Sequence, residues 1–498
     1  MAGAQAVRVG LTADTAMAEN LFDFSRVRID PALAGRIPRA VAFRRQLIPM
    51  AEFGGVLHLA CLYPPDEATR QLLRRQTGAS AMEFHPVDAN ELRRALVRVY
   101  GAETVSSRTG AAEDAVALAD EIFRAARLRR ASDIHIDPRR DAVQIRFRVD
   151  GVLEDYRAFP LEQHAPLVSR IKVLSGMDIA ERRAPQDGGF SLGPLPDDPA
   201  TAVDVRSATL PTRYGESITL RLLGSDRDQL TLERLGMRAE HLECVEQMLA
   251  SPHGLFLLTG PTGSGKSTTL YASIRRLLAQ GGLNILTVED PIEYEIDGVS
   301  QAEIDSADKV TFNKVLRSLL RHDPDVIMIG EIRDTESMDV AVKASLTGHL
   351  VLSTLHTNTA VGAVTRLSDM GLVPHLIAAT LRMSIAQRLV RRLCPECRRP
   401  AALTELEARL LCCPDAVGSA AFVPEGCLSC AGRGYLGRVA LFELFAPDAT
   451  AASMIARNVE EHELLEYLES QGYQNLYHDA LCKIADGTVA AADVCREI

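Results

Sequence analysis

The stretch "LFLLTGPTGSGKSTTLYASI", from Leu255 to Ile274, decides the fold of this chain. A short apolar run, typical of a buried strand, leads into a glycine-rich loop and then into a helical pattern. The loop glycines would let backbone N–H groups approach a polyphosphate without obstruction by a Cβ atom, and the start of the helix would add positive charge. We predict a phosphate-binding loop for ATP. Its residues are Gly260, Pro261, Thr262, Gly263, Ser264, Gly265, Lys266, Ser267 and Thr268.

Two side chains in this loop have predicted chemical roles. Only six lysines occur among the 498 residues, so a lysine at position 266 is informative. We expect Lys266 to contact the β and γ phosphates and Ser267 to ligate Mg²⁺. The alternative is a glycine-rich turn that precedes a lysine by chance, and the flanking strand and helix patterns argue against it.

The stretch "RHDPDVIMIGEIRD", from Arg321 to Asp334, supplies a candidate catalytic group. Its apolar run, Val326 to Ile329, predicts a buried strand. In sheets of this kind the ligand lies at the carboxyl ends of the strands, so Glu331 is predicted to face the nucleotide. There it would orient or deprotonate the attacking water, or hold Mg²⁺ through a water molecule. The alternative is a surface carboxylate that simply follows a strand.

A cluster of acidic residues follows another apolar run, in "NILTVEDPIEYE". Like charges this close are unfavourable unless a cation or an arginine lies among them, so Mg²⁺ is the predicted partner. A solvated acidic loop is the alternative. The clustered residues are Glu289, Asp290, Glu293 and Glu295.

Four motifs occur in a fixed order along the chain: "GPTGSGKSTT", "TVEDPIEYE", "LRHDPDVIMIGEIRD" and "TGHLVLSTLHTN". In these motifs the chain resembles the secretion ATPases of the type II and type IV pilus superfamily, where they are the Walker A motif, Asp box, Walker B signature and His box. The resemblance extends from about Asp133 to Arg438. It implies a homo-hexameric ATPase whose sites lie between neighbouring protomers.

The resemblance also assigns roles to individual residues. It makes Glu331 the Walker B glutamate, Glu293 an Asp-box carboxylate, and His349 and His356 the His-box residues. Arginines would stabilise the negative charge that phosphoryl transfer spreads over the γ-phosphate oxygens. The predicted catalytic residues are Glu331, Glu293, His356, Arg206 and Arg221. The predicted interface arginines are Arg317, Arg321, Arg333 and Arg366.

Helical spacing supports one part of this assignment from the residues themselves. Lys314, Arg317 and Arg321 line up beside an apolar face in a helix predicted to begin near Thr311. The alternative is that this basic stripe is only a solvated helix face.

Two Cys-x-x-Cys pairs, in "LCPECRRP" and "GCLSCAGRGYLGR", predict a metal site. Four thiolates can surround one Zn²⁺ tetrahedrally, which makes a structural site closed to catalysis. A thioredoxin-like redox site is the alternative, but it would need only one pair. The predicted zinc ligands are Cys394, Cys397, Cys427 and Cys430.

The predicted fold is an α/β chain with a RecA-like P-loop NTPase core and a tetracysteine zinc insert. Patterns of short strands and helices predict a small α+β N-terminal domain and a second α+β domain, which the resemblance suggests is PAS-like. The predicted boundaries are residues 1–105 for the first domain, a linker at 106–113, 114–225 for the second domain, and 230–498 for the ATPase domain with its zinc-binding subdomain at about 392–436.

Composition narrows the choice of partners. The net charge of -11 argues against a specific nucleic-acid partner. The sequence lacks the apolar run of a signal peptide or a membrane span, so a cytoplasmic location is expected. The resemblance implies peripheral association with the cytoplasmic face of the bacterial inner membrane, with the first domain docked on a secretion platform protein.

The predicted function is ATP hydrolysis that powers pseudopilus assembly and protein export by a type II secretion system. Three alternatives remain open at this point: a type IV pilus extension ATPase, a scaffold that binds nucleotide without hydrolysing it, and a DNA-packaging or conjugation motor.

Overall fold

The computed structural model describes residues 24, 27–101, 111–195, 202–224, 231–304 and 312–498. The chain divides into two compact units, with the first containing the residues up to Ser225 together with Glu396–Arg398 and Pro424–Tyr435. Most of the predicted linker lies outside the described residues. Its last three positions are helical, because helix α5 begins at Ala111.

The first unit begins with a three-stranded sheet in the order β1-β2-β3, in which β1 is antiparallel and β3 parallel to β2. Apolar side chains of its strands and helices form one buried core. Asp88 accepts hydrogen bonds from the first turn of α4, which explains where that helix begins. The elements are α1 Pro31–Ala34, α2 Arg39–Arg45, β1 Leu47–Phe53, β2 Val56–Cys61, α3 Glu67–Thr77, β3 Ala81–Pro86 and α4 Ala89–Tyr100.

A six-stranded antiparallel sheet follows, in the order β6-β5-β4-β9-β8-β7. Its β5 buries every second residue, as the alternating sequence predicts. The turn between β5 and β6 uses Asp150 and Gly151 with positive φ angles of 50° and 88°, the geometry of a tight hairpin. The elements are α5 Ala111–Leu128, β4 Ala131–Pro138, β5 Ala142–Val149, β6 Val152–Pro160, α6 His164–Leu174, β7 Gln186–Leu192, β8 Val203–Thr212 and β9 Gly215–Gly224.

The second unit is built on a seven-stranded sheet in the order β12-β11-β13-β14-β10-β15-β18. The neighbouring strands from β12 to β15 in this order are parallel, so their carboxyl ends meet at one edge. Two apolar cores are built from its strands and helices. The elements as far as β15 are α7 Ala239–Leu249, β10 Gly254–Thr259, α8 Lys266–Gln280, β11 Ile285–Glu289, β12 Ser300–Glu303, α9 Phe312–Leu319, β13 Val326–Ile329, α10 Thr335–Leu346, β14 Leu350–Leu355, α11 Gly362–Asp369, α12 Pro374–Thr380 and β15 Leu381–Leu393.

The rest of the chain adds a small two-stranded antiparallel sheet, the last strand of the large sheet and five α-helices. These elements are β16 Arg399–Ala402, α13 Glu405–Leu410, β17 Ala420–Val423, β18 Tyr435–Phe445, α14 Ala449–Ala456, α15 Glu461–Ser470, α16 Leu476–Ala485 and α17 Ala491–Glu497.

A buried charged group joins α16 to α7 and β18. Asp479 accepts hydrogen bonds from the N–H of Phe442 at 2.9 Å and from Nζ of Lys483 at 2.6 Å. Nε of Arg238 lies 2.9 Å from the same carboxylate. Because a buried charge is unfavourable without partners, these contacts fix α16 in one position. Among the described residues, no helix combines the length and the apolar character needed to cross a bilayer.

Candidate nucleotide and metal sites

The phosphate-binding loop follows β10 and is shaped by close backbone contacts. A Cβ atom at Gly260 would lie 2.5 Å from the carbonyl oxygen of Gln387, and one at Gly265 would lie 2.8 Å from the Gln387 side-chain nitrogen. Both glycines also have positive φ angles, 141° and 88°. No larger residue fits at either position, so the loop keeps the bare backbone that a phosphate group requires.

Gln387 is a functional residue that sequence reasoning missed. Its side chain is 1% exposed; Nε2 donates to the carbonyl oxygen of Ser264 at 2.7 Å, and Oε1 accepts from Oγ1 of Thr269 at 2.7 Å. Through these two hydrogen bonds, Gln387 connects both the loop and the first turn of α8 to β15. In the sequence, the signal that could have identified it is a polar residue directly after the apolar Ile385 and Ala386.

Lys266 is held by the loop in the state seen here. Its Nζ donates to the carbonyl oxygens of Gly260 at 2.7 Å and Pro261 at 3.1 Å. Burial lowers the pKa of Lys266 to about 8, and the negative charge of Glu331 opposes that shift. An anion bound at the loop would compensate the Lys266 ammonium group for its lost hydration. This property of the site is consistent with polyphosphate binding.

Ser264 and Ser267 also fit a bound nucleotide with its cation. Oγ of Ser264 is buried and has no hydrogen-bond partner among the described residues, so a phosphate oxygen would satisfy it. Ser267 lies in the first turn of α8 and is exposed, as a ligand to an exchangeable Mg²⁺ must be.

Glu331 lies just past the end of β13, as predicted. The backbone at Gly330 is fixed on both sides, because its N–H donates to Val288 at 2.8 Å and its carbonyl accepts from Oγ1 of Thr354 at 2.8 Å. The half-buried Glu331 side chain accepts a hydrogen bond from Nε of Arg333. The carboxylate thus lies at the same sheet edge as the phosphate-binding loop.

Three predicted residues gather around this carboxylate. Nη1 of Arg333 also bonds Asp290 of the Asp box at 3.1 Å, so one guanidinium links two motifs. Nε2 of His356 lies 3.7 Å from Glu331. The hydrogen bond to Glu331 contributes most to raising the pKa of Arg333. The structure therefore brings the Walker B, Asp-box and His-box residues together.

The prediction of a clustered acidic site is wrong for Glu289. This residue turns into the core, where it is 4% exposed and accepts hydrogen bonds from the hydroxyl of Tyr271 and, at 2.7 Å, from Thr287. The Tyr271 oxygen also accepts from the N–H of Glu293 at 3.3 Å. Glu289 is thus part of the support for the Asp box, because the strand β11 ends with its side chain inward.

His349 and His356 lie at opposite ends of β14. His349 precedes the strand, and its N–H and Nδ1 contact the carbonyl oxygen of Ala344, at 3.1 and 3.0 Å, at the last turn of α10. Only His356 follows the strand and reaches the site edge. Of the two His-box residues, His356 therefore lies at the candidate site and His349 lies away from it.

The arginines fall into two groups. Arg206 and Arg221 are direct neighbours across β8 and β9 in the first unit, and Nε of Arg221 bonds Asp133 at 3.1 Å. In the second unit, Arg317 forms an exposed ion pair with Glu336 at 2.9 Å. Arg321 follows the end of α9 and bonds the carbonyl oxygen of Arg317, and both Arg321 and Arg366 are also exposed. Their role at a protomer interface stays a prediction.

The four predicted zinc ligands lie together. The sulfur atoms of Cys394, Cys397, Cys427 and Cys430 are all within 4.8 Å of one another. Sγ of Cys430 lies 3.8 Å from Sγ of both Cys397 and Cys427. A tetrahedral ion with zinc–sulfur bonds of about 2.3 Å separates its ligands by about 3.8 Å. The residues present therefore fit zinc.

Backbone N–H groups support the thiolate form at this site. Gly434 and Cys427 donate to Sγ of Cys430 at 3.1 and 3.2 Å. Burial acts to raise the pKa of Cys430, but these hydrogen bonds outweigh it and the pKa is lowered. A thiolate is the form that binds a metal ion.

The strand, glycine loop and helix, with a carboxylate past a second parallel strand of the same sheet, define a P-loop ATPase with a RecA-like core. A family model described as "Type II/IV secretion system protein" matches residues 75–496. The chain belongs to this family. A second model, the MshEN domain, matches residues 18–106.

Individual relatives agree with this assignment. The chain is 39% identical to type II secretion system protein E of Aeromonas hydrophila, over 94% of this chain and 97% of that protein. It is 44% identical to type II secretion system ATPase E of Vibrio cholerae, over 74% of this chain and 72% of that protein. Among solved structures, the pilus retraction motor PilT with bound ADP is similar at a TM-score of 0.51 and 26% identity, over 75% of this chain and 94% of that chain.

Proposed function

We propose that this chain hydrolyses ATP to power pseudopilus assembly and protein export by a type II secretion system. One observation supports the catalytic part above all others: Glu331, held by Arg333, lies at the sheet edge where the phosphate-binding loop opens. The names of the relatives support the biological part.

The loop residues bind and orient the nucleotide in this proposal. Lys266, whose Nζ now donates to the carbonyl oxygens of Gly260 and Pro261, would donate to phosphate oxygens instead. Mg²⁺, ligated by Ser267, would neutralise part of the phosphate charge.

The carboxylates act on the attacking water. Glu331 accepts its proton or orients it, and Arg333 holds the Glu331 carboxylate in place while also bonding Asp290. Glu293 follows in the same loop and would assist from the Asp box, and His356 approaches Glu331 from the end of β14.

Substitution of Glu331 tests the catalytic assignment. We expect Glu331→Gln to keep ATP affinity but to reduce phosphate release at least a hundredfold, because the amide neither accepts a proton nor carries charge. Glu466→Gln, an exposed position on α15, is the matched control and should match the wild type. Full phosphate release by Glu331→Gln would contradict the assignment, whereas a wild type that binds ATP but shows no turnover, even when assembled, would favour the non-hydrolysing scaffold.

We further propose a homo-hexamer in which arginines of one protomer complete the site of its neighbour. Arg206 and Arg221 on the paired strands β8 and β9, with the exposed Arg317, Arg321 and Arg366, are the candidates. Such charges stabilise the transferring phosphoryl group and make hydrolysis depend on assembly.

Mixing two inactive variants tests shared sites. Glu331→Gln and Arg221→Ala chains should each be inactive alone, but mixed assemblies should regain part of the wild-type rate, because some sites receive an intact residue of each kind. A mixture no faster than the sum of its components, at concentrations where assembly is measured by light scattering, would mean that each site is built from one chain.

The cell-level role needs a separate test. We propose that the first domain docks on a platform protein at the cytoplasmic face of the inner membrane. Deletion of the gene should abolish export of secreted enzymes and leave surface pili intact. Loss of pili with normal export would favour the alternative, a type IV pilus extension ATPase.

The tetracysteine cluster is proposed to bind one structural Zn²⁺. The sulfur spacing and the N–H donors to Cys430 support this proposal. Metal analysis of the wild type against Cys427→Ser should show the loss of one zinc ion per chain, and an unchanged content would refute it.

A further inference from the structure

A second cluster of metal-binding side chains lies in the first domain, outside the nucleotide and cysteine sites. His58 on β2 and Glu83 and His85 on β3 offer ligand atoms that all lie within 4.8 Å of one another. The two strands are parallel neighbours, with His58 opposite Glu83 and with His85 two residues further along. Residues two apart on a strand share a sheet face, so all three side chains lie on one face.

The distances suit a single small ion. Nδ1 of His58 lies 3.1 Å from Nε2 of His85, and the Glu83 carboxylate lies 3.5 Å from His58 and 3.9 Å from His85. An ion bound tetrahedrally by nitrogen at about 2.0–2.1 Å separates its ligand atoms by about 3.3 Å. Small movements of the exposed Glu83 would bring all three groups into this range.

The surroundings hold one imidazole in a fixed orientation. The ring of Phe53 stacks on that of His58, with the centroids 4.2 Å apart and the planes 11° from parallel. The His58 residue is only 7% exposed, whereas the Glu83 side chain is 58% exposed.

We propose that His58, His85 and Glu83 form a second metal site, which binds a divalent transition ion such as Zn²⁺ with water in the fourth position. Two imidazole nitrogens favour zinc, cobalt or nickel ions over Mg²⁺ and Ca²⁺, which prefer oxygen ligands. Three protein ligands leave one position open, unlike the closed four-cysteine site.

The site has a structural consequence for the first domain. β3 is an edge strand of the three-stranded sheet, and its residues are largely exposed or half-buried. An ion that joins β3 to the central strand β2 stabilises the folded domain, and the stabilisation grows with the logarithm of the free metal concentration.

The competing explanation is a histidine pair without metal, in which one ring N–H donates to the other ring. That arrangement needs neither Glu83 nor an ion. The two explanations therefore differ in metal content and in the effect of changing Glu83.

Cobalt titration of the full-length, chelator-treated protein distinguishes them. We expect two classes of Co²⁺ site in the wild type: one with intense thiolate-to-metal charge transfer and one with weak visible bands only. Cys427→Ser should lose the first class and keep the second. His85→Gln and Glu83→Gln should lose the second class and keep the first.

The test has one control variant and one fallback variant. His375→Gln, at an exposed histidine on α12, is the matched control and should keep both classes. If His85→Gln fails to fold, the exposed Glu83→Gln gives the answer. A wild type with the thiolate class alone, or a second class that persists in Glu83→Gln and His85→Gln, would overturn the proposal, whatever the ATPase rate.

Discussion

The side-chain nitrogen of Gln387 lies 2.7 Å from the carbonyl oxygen of Ser264, so β15 supports the phosphate-binding loop directly. Gln387→Leu removes this bond and the one to Thr269, and each buried polar group that loses its partner costs about 1–3 kcal/mol. We expect ATP affinity to fall about tenfold or more, because about 1.4 kcal/mol corresponds to a factor of ten. Calorimetric titration with a non-hydrolysable ATP analogue measures this loss.

Gln471→Leu is the control for that experiment, because Gln471 is exposed at the end of α15. It should bind the analogue with wild-type affinity. Unchanged affinity in Gln387→Leu would mean that the loop holds its shape without support from β15.

Tyr271 links α8 to the Asp box through Glu289 and the N–H of Glu293. Tyr271→Phe leaves the buried Glu289 with one donor fewer and frees the backbone at Glu293. We expect the rate of hydrolysis to fall while ATP affinity changes little, since none of these groups belongs to the phosphate-binding loop. Steady-state phosphate release and analogue binding, measured together, separate the two effects.

Tyr467→Phe is the control, because its hydroxyl bonds Asp448 at the surface. A Tyr271→Phe enzyme with a normal turnover rate would show that the Asp box does not depend on this support.

His241 makes the stability of the ATPase unit depend on pH. Burial lowers its pKa from 6.5 to about 4, with Asp479 and Glu240 opposing the shift and Arg238 and Lys483 adding to it. The His241 imidazole is therefore protonated near pH 6.5 in the unfolded chain, but only near pH 4 in the folded chain. Stability is lost as pH falls through this window, by up to about 3 kcal/mol.

Thermal melts of His241→Gln and the wild type between pH 7 and pH 4.5 check this expectation. The wild type should lose more of its Tm than the variant as pH falls, whereas His462→Gln, at an exposed histidine, should follow the wild type. Parallel curves for wild type and His241→Gln would contradict the assignment.

The segment Pro424–Tyr435, which carries Cys427 and Cys430, packs on the first domain. Leu428 contacts that domain's apolar core, and its carbonyl oxygen accepts a hydrogen bond from the N–H of Arg28 at 3.1 Å. We expect Cys427→Ser to free the segment by removing its metal anchor. Hydrogen exchange should become faster at Arg28 and throughout the segment.

Cys244→Ser, at an exposed cysteine on α7, should leave exchange unchanged. If Cys427→Ser also leaves it unchanged, the segment is held by its packing alone.

The sequence predicts the parts of the site that local patterns encode. The glycine loop, the strand before Glu331 and the cysteine pairs each lie within a short stretch, and the structure confirms the loop and strand and gathers the cysteines. Gln387 could not be predicted in the same way, because it meets Thr269 across 118 residues of chain. Contacts between residues so far apart in the chain depend on the order of strands in the sheet. A local sequence pattern does not predict that order.

The direction in which a side chain points is a second property that the local sequence pattern does not predict. Glu289 and Asp290 are adjacent acidic residues and look alike in the sequence, but the pleat of β11 turns one into the core and leaves the other exposed. The charges of the two residues therefore predict a metal-site role for both. In the structure, Glu289 is buried in the core and does not lie at that site.

The strand β14 keeps His349 and His356 about 23 Å apart, since each strand residue advances the chain by about 3.3 Å. The His box is continuous in the sequence, but only its His356 end lies at the candidate site. Replacing His349 would probe how the end of α10 is anchored, whereas replacing His356 would probe chemistry, and a defect common to both would not imply a common cause.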